Sequence, residues 1–165
     1  IGAWGITAAS THSQNLAALK HERCPGVVQC IANLLDSPGG MAITREPAQP
    51  RAVIAAAAAR AIGVMGIRAV AAGCLTDAID REVDTRSPEM RDWRRAAPFR
   101  AFAQAEGESA AHLAHRYALG MDGVDTVVLG VKNRTELDEC LHAEAKGPLD
   151  PERMAAIDRA LQDAP

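Results

Sequence analysis

The stretch VVLGVKNRTELDEC, Val127–Cys140, begins as an unbroken apolar run and ends in the polar pattern of a helix. Gly130 and Lys132 stand at the join, and Glu136 and Glu139 follow near the start of the helix. A strand, a glycine turn, a cation and a helix N-terminus in that order make a place for an anion. The unpaired N–H groups of a first helical turn and the lysine charge both attract it.

Other groups that could do chemistry read as less directed. His112 and His115 are three apart and share a helix face, but no acidic third ligand stands near them, so packing or surface roles are expected. His12 lies beside Ser and Thr in a loop with nothing to pair with. Trp93 with Arg91, Arg94 and Arg95 makes a basic cluster that either closes over a site or is a solvated charge run. Asp77, Asp80, Glu82 and Asp84 suggest calcium at first, but the series lacks the glycine and closing glutamate of a loop site. No metal is expected.

The elements that must position these residues alternate. IGAWGIT is a short strand, and AASTHS leads into the helix QNLAALKHER. VVQCIANLL is a second strand, followed by the Pro/Gly loop DSPGGMAITREPAQP and the helix RAVIAAAAARAI. GVMGIRAV opens a third unit, with the charged connection DAIDREVDTRSPEMRDWRRAAP before the helices FRAFAQAEG and SAAHLAHRYALG. VDTVVLGV and RTELDECLHAEA form the fourth. A closing helix, DPERMAAIDRALQ, has Asp150 as its cap and Pro151 in its first turn. Strands alternating with helices predict right-handed βαβ units on a parallel sheet. Pattern alone fits two shapes equally: half of an eight-fold barrel, which when complete needs about 250 residues, or a small open α/β sheet.

The bulk properties set limits. The 165 residues predict one domain, residues 1–165, or a piece of a larger one. Apolar residues make up 48% and aromatic ones 3%, so Ala and Val must supply most of the core. A net charge of −3 argues against a nucleic-acid surface. No apolar run is long enough to span a bilayer, and no signal peptide is expected. Cys24, Cys30, Cys74 and Cys140 are scattered without paired spacing, which reads as reduced thiols in the cytoplasm. The chain opens on Ile1 rather than Met, expected of a processed start or an internal cut.

Several of these segments, in order, resemble the C-terminal half of the aldo/keto reductases, NADP-dependent enzymes on a (β/α)8 TIM barrel. WGITAAST is similar to the family's IGVSN strand and its helix. GVVQCIANLLD resembles VVQVPYNLLD and keeps Gln29, Asn33 and Asp36. GVMGIRAVAAGCLTD stands where the family has GVIAYSPLAGGLLT, and SAAHLAHRYAL is similar to SLAELALRWVL. VDTVVLGVKNRTELDEC resembles VDTVIPGARNPEQLEEN, and GPLDPERMAAID the usual closing helix.

The resemblance implies a half barrel that holds NADP for reduction of a small-molecule aldehyde or ketone. By it, Gly130 and Lys132 line the 2′-phosphate, Glu136 joins the cofactor site at a position where the family often has Gln or Arg, and Glu139 contacts adenine, with Cys140 in place of a common Asn. Ile67, Arg68, Ala69 and Val70, with Ala71, Ala72 and Gly73, replace the segment that wraps nicotinamide and pyrophosphate. Ile67 takes the place of a stacking aromatic, and Arg68 replaces a Ser with a group suited to phosphate. Gln29 and Thr7 correspond to residues that hold the nicotinamide carboxamide, although Ala8 replaces the neighbouring Asn.

The family's proton-donating Tyr, and the Lys, Asp and His around it, belong by motif order to the half not represented here. Tyr117, the one tyrosine, falls inside a helix and is not nominated. No catalytic residue is therefore expected in this chain, and it is not expected to be active alone. Its open strand edges would pair with the missing half or with a second copy. The alternatives are a non-catalytic self-associating half barrel, and an independent small α/β nucleotide-binding module.

Overall fold

The computed structural model describes residues 2–42, 44 and 46–162. The elements run β1 (Gly5–Thr7), α1 (His12–Lys20), β2 (Val27–Ile31), α2 (Pro50–Ala58), β3 (Gly63–Ile67), α3 (Pro88–Arg95) and α4 (Ala97–Glu106). They continue α5 (Ala110–Gly120), β4 (Thr126–Val127), α6 (Arg134–Lys146) and α7 (Pro151–Gln162). Part of the Pro/Gly loop, Ile43 and Arg45, lies outside the described residues, as do Ile1 and residues 163–165.

The four strands form one all-parallel sheet in sequence order. Thr7, Gln29, Met65 and Thr126 stand in one row across it. Because side chains alternate along a strand, Val28, Cys30 and Val64 point to the other face and are buried under helices. The inner row is only partly covered: Gln29 and Met65 are half-buried, and Thr7 and Thr126 are exposed. Among the described residues, β1 and β4 each have a strand partner on one side only.

Both predicted long strands stop early, and each stop has a cause. The second ends at Ile31 because buried Asn33 folds the chain. Its Oδ1 accepts from the N–H groups of Leu35 (3.1 Å) and Ser37 (3.2 Å), while its Nδ2 donates to the carbonyls of Ser37 and Arg68. Asp36 then takes a left-handed φ of 52°. The fourth is reduced to Thr126–Val127, and Val128, Leu129 and Val131 beyond it are exposed. A strand with one neighbour has little to hold it straight.

Two helix boundaries also differ from expectation. The first helix begins at His12, because Thr11 and Gln14 form a capping box. Within the charged connection, Pro88–Arg95 is helical, capped by Ser87 Oγ on the Met90 N–H (3.1 Å), with Pro88 and Glu89 in its first turn. At the closing helix, Asp150 Oδ1 accepts from the Arg153 N–H at 2.8 Å.

The core joins the covered sheet face to α2, α4, α5 and α7, with Leu19, Ile54, Leu75, Phe99, Leu113, Tyr117 and Ile157 among its large members. Tyr117 is sealed between Arg51 Nη2 (2.9 Å) and Asp158 Oδ1 (2.6 Å). Burial and the Asp158 carboxylate push its phenol up to about 12. It ties α5 to α7 and the start of α2.

Glu108 fastens α5 to α7. Its carboxylate accepts from His112 Nδ1 at 3.0 Å and from Arg153 Nη2 at 2.9 Å. Burial acts to raise this carboxyl, but the two hydrogen bonds outweigh it and hold it below the usual range. A carboxyl depressed in the folded state stabilises above its unfolded value of about 4.3 and loses that contribution as pH falls through the folded value. The urea midpoint should therefore drop on acidification below about pH 4.3. Glu108→Gln should be less stable at pH 7 and show a flatter acid limb; equal limbs for the two proteins would exclude this role.

Candidate functional site

Among the described residues, the segment after β3 carries the densest backbone strain. Arg68 (φ 61°), Ala71 (47°), Ala72 (55°) and Gly73 (88°) all have left-handed backbones, and three of them are not glycine. Each such non-glycine residue costs on the order of 1 kcal/mol or more, so the surroundings must enforce it. They do so through bonds to carbonyls: Arg81 Nη2 donates to Ala72 O (2.8 Å), Thr76 Oγ1 to Gly73 O (2.9 Å), and Arg100 Nη1 to Cys74 O (3.1 Å). Strain held in this way gathers at functional sites.

Facing this loop is the turn after β4. Asn133 caps α6 by accepting from the Glu136 N–H at 2.9 Å, and Glu136 Oε2 accepts from the Lys132 N–H, also at 2.9 Å. Between loop and turn lies a cleft of about 320 Å³. It brings together Val70 and Gly73 from one side with Gly130, Lys132, Glu136 and Glu139 from the other. Lys132 Nζ reaches across to the Asp80 carboxylate, and both side chains are more than half-exposed or close to it, at 59% and 50%. The hydrogen bond from Lys132 holds the Asp80 carboxyl below its usual range. Arg81, Asp77 and Asp80 complete this rim.

The opposite end of the cleft is drier. Ser109, the cap of α5, donates its hydroxyl to Glu139 Oε1, so two helices share one carboxylate. Cys140 Sγ and His115 Nε2 are 3.3 Å apart. Burial and the carboxylates of Glu139 and Glu136 raise the thiol, and burial lowers the imidazole, so both stay neutral. His115 is 8% exposed, and among the described residues its Nδ1 has no hydrogen-bond partner. His112 turns away to Glu108, so the two histidines do not act together.

The remaining expected site residues form a second group. Thr7 Oγ1 donates to Gln29 Oε1 at 3.1 Å on the inner row of the sheet. Thr7 and Ile67 also line a mostly apolar pocket with His12, at the C-terminal ends of β1 to β3. Ala69 is buried. Arg68 lines neither cavity: its side chain is 14% exposed, its Nη2 is 3.9 Å from Glu89 Oε1, and among the described residues its Nε and Nη2 have no hydrogen-bond partner. Trp93 is not over the cleft but under Arg100, whose guanidinium carbon stands 3.5 Å from its ring centre.

Sequence reasoning passed over Asp80, Ser109 and His115 as site residues. Asp80 stands within an acidic run, and His115 reads from the sequence as a packing or surface residue. Ser109 stands directly before an apolar helix, a signal for a cap but not for its second bond to Glu139.

A comparison with protein-family models now bears on this geometry. The aldo/keto reductase family model matches residues 1–162. The chain belongs to the aldo/keto reductase family. No curated protein matches it. Aldo/keto reductases are oxidoreductases that generally use nicotinamide cofactors and act on small-molecule carbonyls, and the four-stranded parallel sheet flanked by helices is part of the family's barrel. Among the described residues, no helix of this aldo/keto reductase is long and apolar enough to cross a membrane. The described residues also contain no cluster of three or more metal-ligating side chains.

Proposed function

We propose that this chain is the cofactor-holding half of an NADP-dependent aldo/keto reductase. The observation that carries this reading is the cleft in which the strained loop 68–73 meets the turn after β4, residues some sixty positions apart in the chain. The residues fit a dinucleotide. Lys132 offers a cation for the 2′-phosphate, beside Gly130 and the capped start of α6. The guanidinium of Arg68 lies beside the cleft rather than in it, 3.9 Å from Glu89 Oε1, and would reach a phosphate oxygen only by turning from that carboxylate, with Ala69 and Val70 next to it. Glu136 orders the turn through the Lys132 N–H. Glu139 offers a carboxylate oriented by Ser109. Thr7, Gln29 and Ile67 line the inner sheet face and its mouth, where the nicotinamide end would lie.

When bound, the cofactor supplies a hydride for an aldehyde or ketone. This chain's residues bind and orient it. The acid that protonates the carbonyl oxygen is supplied by another part of the barrel, since Tyr117 is sealed in the core between Arg51 and Asp158. The exposed inner row and the open edges of β1 and β4 are the surface on which that half would close. Self-association of two copies through the same edges is the second reading, favoured by the same exposed apolar groups, Trp4, Val128 and Leu129. The four unpaired cysteines agree with a cytoplasmic place.

The test is a calorimetric titration with NADPH and NADH, run with the molar mass in solution. Saturable NADPH binding tighter than NADH supports the reading. A folded chain that binds neither sinks it, and a stable dimer that binds neither favours the self-associating half barrel.

A further inference from the structure

The geometry points to His115 as a residue that reads the purine base of the bound dinucleotide; the inference rests on the cleft described above being the nucleotide site. Three observations lead there. His115 lines the cleft with Glu139, Cys140 and Ser109. It is nine-tenths buried, yet among the described residues its Nδ1 meets no hydrogen-bond partner. Its other nitrogen, Nε2, is occupied by the Cys140 thiol at 3.3 Å.

The tautomer follows from the thiol. A protonated thiol beside a neutral imidazole donates its S–H to Nε2, which leaves the imidazole proton on Nδ1. A buried N–H without an acceptor is costly, and such a group is kept where something else supplies the acceptor. Next to it, Glu139 has one carboxylate oxygen engaged by Ser109 and the other available. The pair therefore offers one acceptor, from Glu139, and one donor, from His115. Adenine presents the complement: an exocyclic amine that donates and an adjacent ring nitrogen that accepts. With a slight turn of the ring, Nδ1–H gains its acceptor while Glu139 takes the amine. Hypoxanthine, with an oxygen in place of the amine, would set that oxygen against the carboxylate.

Cys140 is thus a positioning residue. It holds the imidazole proton on Nδ1, the nitrogen without a partner among the described residues, and it does not act as a nucleophile, since its thiol is raised by burial and by two carboxylates.

The experiment is a fluorescence titration of the full chain with NADPH and with the analogue carrying hypoxanthine in place of adenine. The wild-type chain should prefer the adenine form by about tenfold, the size of one net charge-assisted hydrogen bond. His115→Leu should weaken NADPH about tenfold and lose most of the preference. Cys140→Ser should keep both, because a hydroxyl also donates to Nε2, whereas Cys140→Ala should lose part of the preference. A His115→Leu chain that binds both forms like the wild type overturns the assignment of His115 and leaves the nucleotide site standing. A wild-type chain that binds neither form overturns the nucleotide site and this inference with it. Should His115→Leu fail to fold, imidazole nitrogen NMR of the wild-type chain decides. The Nδ1–H tautomer with a shift on adding NADPH supports the role, and an unmoved signal at saturation refutes it.

Discussion

Lys132→Ala should weaken NADPH binding by about ten- to a hundredfold while leaving NADH within about twofold. A hydrogen bond to a charged group contributes about 1.5–3 kcal/mol, and only NADPH carries the 2′-phosphate that Lys132 would meet. The side chain is 59% exposed, so solvent screening places the effect toward the lower end. Asp80→Asn should act in the opposite sense. In the free chain the Asp80 carboxylate holds Lys132, and a phosphate must take its place against that negative charge. Removing the charge frees the ammonium and lifts its repulsion of the phosphate, which tightens NADPH severalfold. The double variant separates the two contributions, because once Lys132 is gone Asp80→Asn still lifts the repulsion of the phosphate but no longer frees an ammonium. Calorimetry at two salt concentrations checks both, since exposed charge effects shrink as salt rises. Equal losses for NADPH and NADH in Lys132→Ala would show that the residue supports the turn rather than the phosphate.

Phe99→Ala should destabilise the chain by about 3–5 kcal/mol, the usual cost of emptying a buried aromatic site. Phe99, on α4, is fully buried in the core, where α4 packs on α5 and α7, and aromatic residues are only 3% of the sequence. Alanine supplies much of the surrounding core, at Ala96, Ala103 and Ala110. Those methyl groups have no torsion by which to move into the space, so the cavity stays open. Small domains hold about 5–15 kcal/mol in total, so this one change should remove a large part of it. Phe102 is half-buried on the same helix and packs on the core from its edge. Phe102→Ala should cost clearly less. Urea midpoints of the two variants make the comparison; a Phe99→Ala midpoint no lower than that of Phe102→Ala would place the core elsewhere.

The binding prediction and the stability prediction call on different parts of the sequence. The family match and the parallel α/β architecture were legible because both are written in contiguous runs. An apolar strand, a glycine turn and a capped helix each fit within about a dozen residues. Asp150 and Pro151 announced the closing helix for the same reason, since a cap acts on the N–H three residues on. Helix α3 was legible in principle: Ser87, Pro88 and Glu89 are an ordinary helix start, masked by the charges around them.

The strand ends were not legible. VVQCIANLL reads as one apolar run, and only a buried Asn33 bonded to both Ser37 and Arg68 shows where it breaks. The apolar run at Val127–Val131 likewise carried no sign that pairing would lapse once a single neighbouring strand had to hold it.

By itself, then, the sequence determined the family and the alternation of strands and helices, α3 apart. Tertiary structure alone decided how the site is wired. Asp80 meets Lys132 across 52 positions, Ser109 meets Glu139 across 30, and His115 meets Cys140 across 25. No periodicity or local spacing encodes such pairs, because their geometry is set by how helices pack on the sheet. Whether a given Lys, Glu or His is solvated or partnered depends on that packing.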